Sequence, residues 1–344
     1  MEEYLNLESL LTQAAEADVT ALKQFFLTNP SQPLVTVGSG GAESVADFAA
    51  LLYGARGGVA TAVTPYTLNS YSDDALKTAK LLLVSKGGHN QDIAFAAGRG
   101  LDVNGDKTAS FTLSTGERNE VRKKFAKARS NLSIDIPDLK AHDAFISVGS
   151  PVMYFALLCR AFSPGCDLSK YKSKPESPYR AERKDGTPLS MEDLKGVKSL
   201  IVLNGSWGRP VAKNLEGKLV ESGLCPACVI DFRNYCHGRF IFTSGHLEDS
   251  AVVMFITPRE KDLAGRIRDL LPASAKLVLI ETETDAPEAS LDLLIRSSLF
   301  FFDLCEATGT NWVKPKNPGD IDKRKPIAIS FKEKLKKDGP LKIQ

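Results

Sequence analysis

Apolar residues fall along the chain in short, nearly unbroken runs, at 34–37, 81–84, 200–203, 251–256 and 277–280. Most of these pass into a turn rich in glycine, serine or threonine and then into apolar positions at helical spacing. Runs without alternation suit strands buried on both faces of a parallel sheet. The pattern is duplicated. A strand, turn and helix at 34–52 return at 200–223, with Gly38 and Gly205 167 residues apart. The unit opening at 80–88 returns at 250–271, where Ser85 and Thr257 differ by 172. The strand expected at 109–115 has its partner at 276–283, and Thr112 to Leu279 is again 167. Each half therefore reads as β-turn-α, β-turn-α, β and then a long helix, at 145–162 and at 289–307. The class is α/β, as two tandem doubly wound parallel-sheet domains. Helical spacing over 5–27 predicts a lead-in helix. The expected organisation is 1–165 for that helix and the first domain, 166–196 for a proline-rich, charged linker, 197–313 for the second domain, and 314–344 for a tail.

A length of 344 residues agrees with two domains, and 43% apolar against 25% charged residues is a globular balance. No apolar stretch approaches the length of a membrane span. An acidic start, Met-Glu-Glu, is unlike a secretory leader, and six cysteines without framework spacing predict reduced thiols in a cytoplasm. Net charge is +2, but residues 314–337 hold nine Lys or Arg against three Asp or Glu, +6, which leaves the remainder at −4. An acidic body with a basic tail points away from nucleic acid and toward a small anionic ligand.

Turns that lead from a strand into a helix present unpaired amides at the positive end of a helix dipole, where oxyanions bind. Two turns are built for this. The first is Gly38-Ser39-Gly40-Gly41-Ala42-Glu43-Ser44; its glycines let the main chain approach a phosphate, and Ser39 and Ser44 add hydroxyls. The second is Ser85-Lys86-Gly87-Gly88-His89-Asn90-Gln91-Asp92, with Asn90 and Asp92 placed to cap the next helix and His89 within reach of a sugar hydroxyl. Neither is a G-x-G-x-x-G dinucleotide turn, and no P-loop signature is present, so no nucleotide cofactor is expected.

The second turn resembles the phosphosugar loop S-x-S-G-x-T-x-D/E of the sugar isomerase (SIS) family, with Gly87 and Asn90 in place of two hydroxyl residues. Residues 215–223, LEGKLVESG, and 231–240, DFRNYCHGRF, are similar to the L-E-G-x-L-K-x-x-E helix and the E-F-x-H-G-P loop of its tandem-domain members. That form is the isomerase half of glucosamine-6-phosphate synthases. The resemblance implies Glu221, 16 residues before His237, as the enolising base, with Glu216 in reserve, and His237 as the ring-opening group. It further implies that Lys323, within Pro318-Gly319-Asp320-Ile321-Asp322-Lys323, closes the site from the tail. The phosphosugar contacts would be Ser39, Gly40, Gly41, Ser44, Ser85, Gly87, Gly88, His89 and Asn90. The implied partners are a sugar phosphate or amino-sugar phosphate and a second copy of the chain, since the family's histidine loop typically reaches the neighbouring subunit's site. No cofactor, metal, nucleic acid or membrane enters, and no glutaminase domain has a counterpart here.

The implied chemistry moves a carbonyl between C1 and C2 through an enediol. A carboxylate withdrawn from water has a raised pKa suited to carrying the proton both ways. A histidine passes ring-opening protons near neutrality, and a lysine steadies the enolate oxygen. Two alternatives share this fold and these turns: a noncatalytic phosphosugar sensor, and a deglycase or deaminase of a sugar-amine phosphate. A rival constellation, Cys225, Cys228, Cys236 and His237, has ligand types suited to zinc or to a redox pair. His142 and His246 have no such context.

Overall fold

The computed structural model describes residues 3–114, 116–128, 133–135, 143–163 and 165–315. These divide into two compact units, one drawn from Glu16–Lys140 with Arg160–Pro164, the other from Met1–Ala15, Ala141–Cys159 and Gly165–Pro315. The lead-in is two helices, α1 (Leu7–Glu16) and α2 (Thr20–Leu27). Asp18 interrupts the run, its Oδ1 accepting the Thr20 amide at 2.8 Å.

The first unit is built on a parallel sheet of β1 (Leu34–Val37), β2 (Ala60–Val63), β3 (Lys80–Ser85), β4 (Thr108–Thr112) and β5 (Ser133–Asp135), in the order β2-β1-β3-β4-β5. Helices α3 (Gly41–Ala55), α4 (Pro65–Leu68), α5 (Asp73–Thr78), α6 (Gln91–Asn104) and α7 (Glu120–Lys127) connect or follow the strands. All four residues of β1 and all six of β3 are buried, which is why those runs do not alternate. Thr36, the polar residue in β1, is satisfied by donating to the Ala46 carbonyl of α3 at 2.7 Å. Val35, Val37, Leu81 and Leu83 share a core with Ile93 and Ala97 of α6 and with Val121 and Phe125 of α7. Each such aliphatic contributes about 1.5–3 kcal/mol by leaving water.

Helix α8 (Gly149–Phe162), which lies in the second unit as far as Cys159, starts later than its apolar pattern suggests. The Asp143 carboxylate sets that start by accepting the amides of Val148, Gly149 and Ser150 at 3.0, 2.9 and 3.2 Å. Then follow β6 (Arg180–Arg183), α9 (Met191–Leu194), β7 (Ser199–Asn204), α10 (Arg209–Ser222), β8 (Ala227–Asp231), α11 (Phe232–Asn234), α12 (Phe240–Gly245), β9 (Ser250–Ile256), α13 (Lys261–Leu270), β10 (Lys276–Glu281) and α14 (Glu288–Thr308). The sheet order is β6-β10-β9-β7-β8. Read from its β8 edge, this repeats β2-β1-β3-β4 strand for strand, and Ala60 and Ala227, which open β2 and β8, are again 167 residues apart. The stretch 166–196, which reads as linker, supplies β6, an antiparallel edge with Arg183 opposite Lys276. An edge strand is paired on one side only and tolerates charge, so its pattern is faint in sequence.

Candidate functional site

The order β2-β1-β3-β4-β5 reverses direction between β1 and β3, and open sheets of this order take ligands at the carboxyl ends of the strands flanking that reversal. Both predicted turns lie there, on adjacent strands. In the first, a Cβ on Gly38 would stand 2.3 Å from the Ala42 carbonyl oxygen, so only glycine lets β1 enter α3 this tightly. Gly40 sits at φ 56° and caps α3 without a side chain, and Gly40 and Gly41 are exposed. Ser39 is half-buried. Ser44 is buried, and its hydroxyl donates to the Gly41 carbonyl at 2.9 Å.

The second turn is tied down from within and from a neighbour. Ser85 accepts the Gly88 amide at 3.2 Å, and Asn90 Oδ1 accepts the Asp92 and Ile93 amides at 2.9 and 3.3 Å, capping α6. Gly87 packs beneath the His89 ring, where a Cβ would lie 2.4 Å from Nδ1. His89 and Asn90 are exposed. Gly88 has φ 61°, and a Cβ there would meet Asn119 Oδ1 at 1.8 Å. Asn119 was not apparent as a site residue from the sequence, where it shows only as a helix cap ahead of α7. It is buried, donates to Thr112 Oγ1 and the Ser114 carbonyl at 3.1 and 2.7 Å, and accepts the Arg122 amide at 2.9 Å. The turn after β4 thus braces the turn after β3. Asn90→Ala is expected to cost about 1 kcal/mol of stability. If Asn90 acts only as a cap, Asn90→Ser restores that stability, measured by denaturation.

The equivalent reversal in the second sheet, between β7 and β9, is already filled by an anion. The buried Glu260 carboxylate accepts the Thr257 amide at 3.1 Å and the Thr257 hydroxyl, and a Cβ on Gly205 would lie 2.1 Å from Glu260 Oε1. A phosphate there would meet the Glu260 carboxyl in the place it needs. The duplicated halves are therefore unequal, and calorimetry with a phosphate-bearing ligand is expected to count no more than one site per chain. Two equivalent sites would contradict the exclusion by Glu260.

Glu221 lies in the last turn of α10 and is exposed within the single chain, yet its carboxyl is held above the usual carboxylate range by partial burial and by Glu216. His237 is exposed at a kink between α11 and α12, where it and Gly238, at φ 97°, leave the helical conformation. α10 runs back along β7, so Glu221 precedes the amino end of β8, whereas His237 follows its carboxyl end. Five strand residues place these ends about 15 Å apart. The length of β8 thus lies between the two residues within the chain. Lys323 lies outside the described residues.

Lys218, three residues before Glu221, was overlooked in the sequence. With Val211, Leu215 and Ser222 it occupies the buried face of α10, so its helical spacing was the available signal. Its Nζ donates to Ser298 Oγ of α14 at 2.9 Å, and burial pulls its pKa down to about 7 against the opposing attraction of Asp143. The cysteine rival finds no geometry. The Cys225 thiol is pushed up to about 11 by burial, the wrong direction for a redox thiolate, and Cys228 and Cys236 are exposed. Among the described residues no three His, Cys, Asp or Glu side chains are gathered to hold a metal. No described helix is long and apolar enough to cross a membrane.

Two α/β sheets that repeat one order over four strands, with glycine turns at the reversal, define the SIS-like doubly wound fold expected from the sequence. No protein-family model and no curated protein matches the chain. Solved structures do match it. They include the C-terminal domain of glucosamine-fructose-6-phosphate aminotransferase from Francisella tularensis, at 10% identity over 90% of this chain and 96% of that one, with a TM-score of 0.62. Tagatose-6-phosphate ketose/aldose isomerase from Escherichia coli matches at 15% identity, 90% and 92% coverage and a TM-score of 0.65. Glucosamine-6-phosphate deaminase from Thermotoga maritima matches at 15% identity, 91% and 97% coverage and a TM-score of 0.64. At these identities the likeness is one of fold.

Proposed function

We propose that the chain binds a phosphorylated sugar and interconverts its aldose and ketose forms through an enediol. The observation that carries this is the pair of glycine turns at the β1/β3 reversal, opening on neighbouring strands of a fold shared with proteins named for phosphosugar isomerisation. Exposed amides near Gly40 and Gly41, with Ser39 and His89 beside them, are the proposed anion contacts. Ser44, Ser85 and Asn90 support the turns, because their side chains are engaged internally. Glu221 is the proposed proton carrier, its raised pKa suiting a carboxylate that must both take and return a proton. His237 is the proposed ring-opening group, and Lys323 the cation that steadies the enolate oxygen. The span of β8 between Glu221 and His237 supports a homodimer in which each site takes its histidine from the other copy.

The exposure of Glu221 favours a second reading, a phosphosugar sensor without turnover. A sugar-amine phosphate substrate would use the same enediol and adds loss or transfer of nitrogen. Deuterium exchange from solvent into C1 or C2 of fructose 6-phosphate and glucosamine 6-phosphate separates these readings. Exchange that requires Glu221 supports the isomerase, whereas binding without exchange across both substrates supports the sensor.

A further inference from the structure

The amino-terminal end of the second sheet, opposite the strand ends where this fold class takes its ligands, carries a cavity of about 160 Å³. Leu200 at the start of β7, Leu224 before β8, and Phe300 and Leu304 of α14 form its apolar wall, with the Cys225 thiol set among them. That thiol stays neutral at physiological pH, because burial raises its pKa, and it packs as a small apolar group. An engineered cavity of about 150 Å³ lined by aliphatic and aromatic side chains is enough to hold one benzene ring, and this one is of that size but opens to solvent at a polar mouth. Glu221 does not line it.

Polar groups at the mouth restrict what the ring can carry. α10 and α14 both end here, at Gly223 with φ 74° and Gly309 with φ 67°, so the negative ends of two long helix dipoles converge on the cavity and disfavour an anion. Lys195 stands at the rim with its ammonium paired to Glu192 at 3.5 Å, and no acidic side chain among the described residues lines the cavity, so a cation would give up its hydration against the apolar wall without gaining a counter-charge. Thr308 donates its hydroxyl to the Leu304 carbonyl at 2.8 Å and lies 2.9 Å from the Thr310 hydroxyl, which leaves hydroxyl oxygens as acceptors at one edge. A neutral donor suits such an edge.

We propose that this cavity binds an uncharged, single-ring aromatic molecule bearing one hydrogen-bond donor, of the size of phenol. The proposal concerns binding only and does not rest on the isomerase reading. Its test follows alkylation of Cys225 by iodoacetamide, resolved by peptide mass, in the full chain with phenol, benzylammonium or benzoate. Phenol is expected to slow labelling of Cys225 severalfold while leaving Cys228 and Cys236 unchanged, and to raise the melting temperature. Benzoate and benzylammonium are expected to do neither. Leu224→Phe fills the space at a half-buried position and is expected to remove the protection; should that variant not fold, Cys225→Leu, read by ligand-observed NMR, is expected to lose the phenol signal. Unchanged Cys225 labelling in phenol, equal protection by benzoate, or protection that survives filling would each overturn the proposal.

Discussion

Glu221→Gln is expected to lower deuterium exchange at C1 and C2 of a bound sugar phosphate by ~10²–10⁴-fold while leaving affinity for that ligand nearly unchanged. An amide has the shape of the carboxylate but cannot accept the proton beside the carbonyl, so binding and chemistry separate in this one variant. NMR in deuterated buffer reads the exchange, and calorimetry reads the affinity. The pH profile gives an independent check. The base must be unprotonated to act, and partial burial together with Glu216 raises its pKa. Activity should therefore fall, on acidification, at a higher pH than an ordinary glutamate would allow. Glu216→Gln removes one cause and should move that limb toward lower pH. Exchange that persists in Glu221→Gln would assign the proton to another group, with Glu216 first to be tested.

Lys218→Met is expected to stabilise the protein by ~1–4 kcal/mol near neutrality, because a well-packed apolar chain replaces a buried amine whose desolvation outweighs the Ser298 hydroxyl and the attraction of Asp143. The sign follows from proton linkage. In the unfolded chain Lys218 titrates near 10.5, and in the folded chain at about 7. Between these values the unfolded state holds the proton and the folded state does not, so stability climbs as pH rises through that window. Below it both states are protonated and the full cost of a buried charge remains. Urea denaturation between pH 6 and 10 would therefore show a slope in the native sequence that Lys218→Met removes. Parallel curves for the two proteins would mean that Lys218 is solvated or fully paired.

Both expectations come from α10, a helix whose existence the sequence announces through Val211, Leu215 and Leu219. Its meaning depends on what packs around it. The family resemblance made Glu221 a candidate, and nothing in the sequence singled out Lys218, because a lysine symbol carries no record of Ser298, which lies 80 residues away. Asn119 escaped for the same reason: its cap on α7 is local, whereas its pressure on Gly88 joins turns from two different strands.

The duplication, the three central strands of each half and the glycine turns were determined by sequence, since burial on both faces imposes unbroken apolar runs and tight strand-to-helix entry imposes glycine. Those constraints act between residues near in the chain, or repeat at one offset. Tertiary structure decided the rest: that Glu260 fills the reversal of the second sheet, that β6 closes its edge, and that β8 stands between Glu221 and His237. Each of these depends on distances between segments remote in sequence. Hydrophobic periodicity reports whether a residue is buried, not which residue it is buried against.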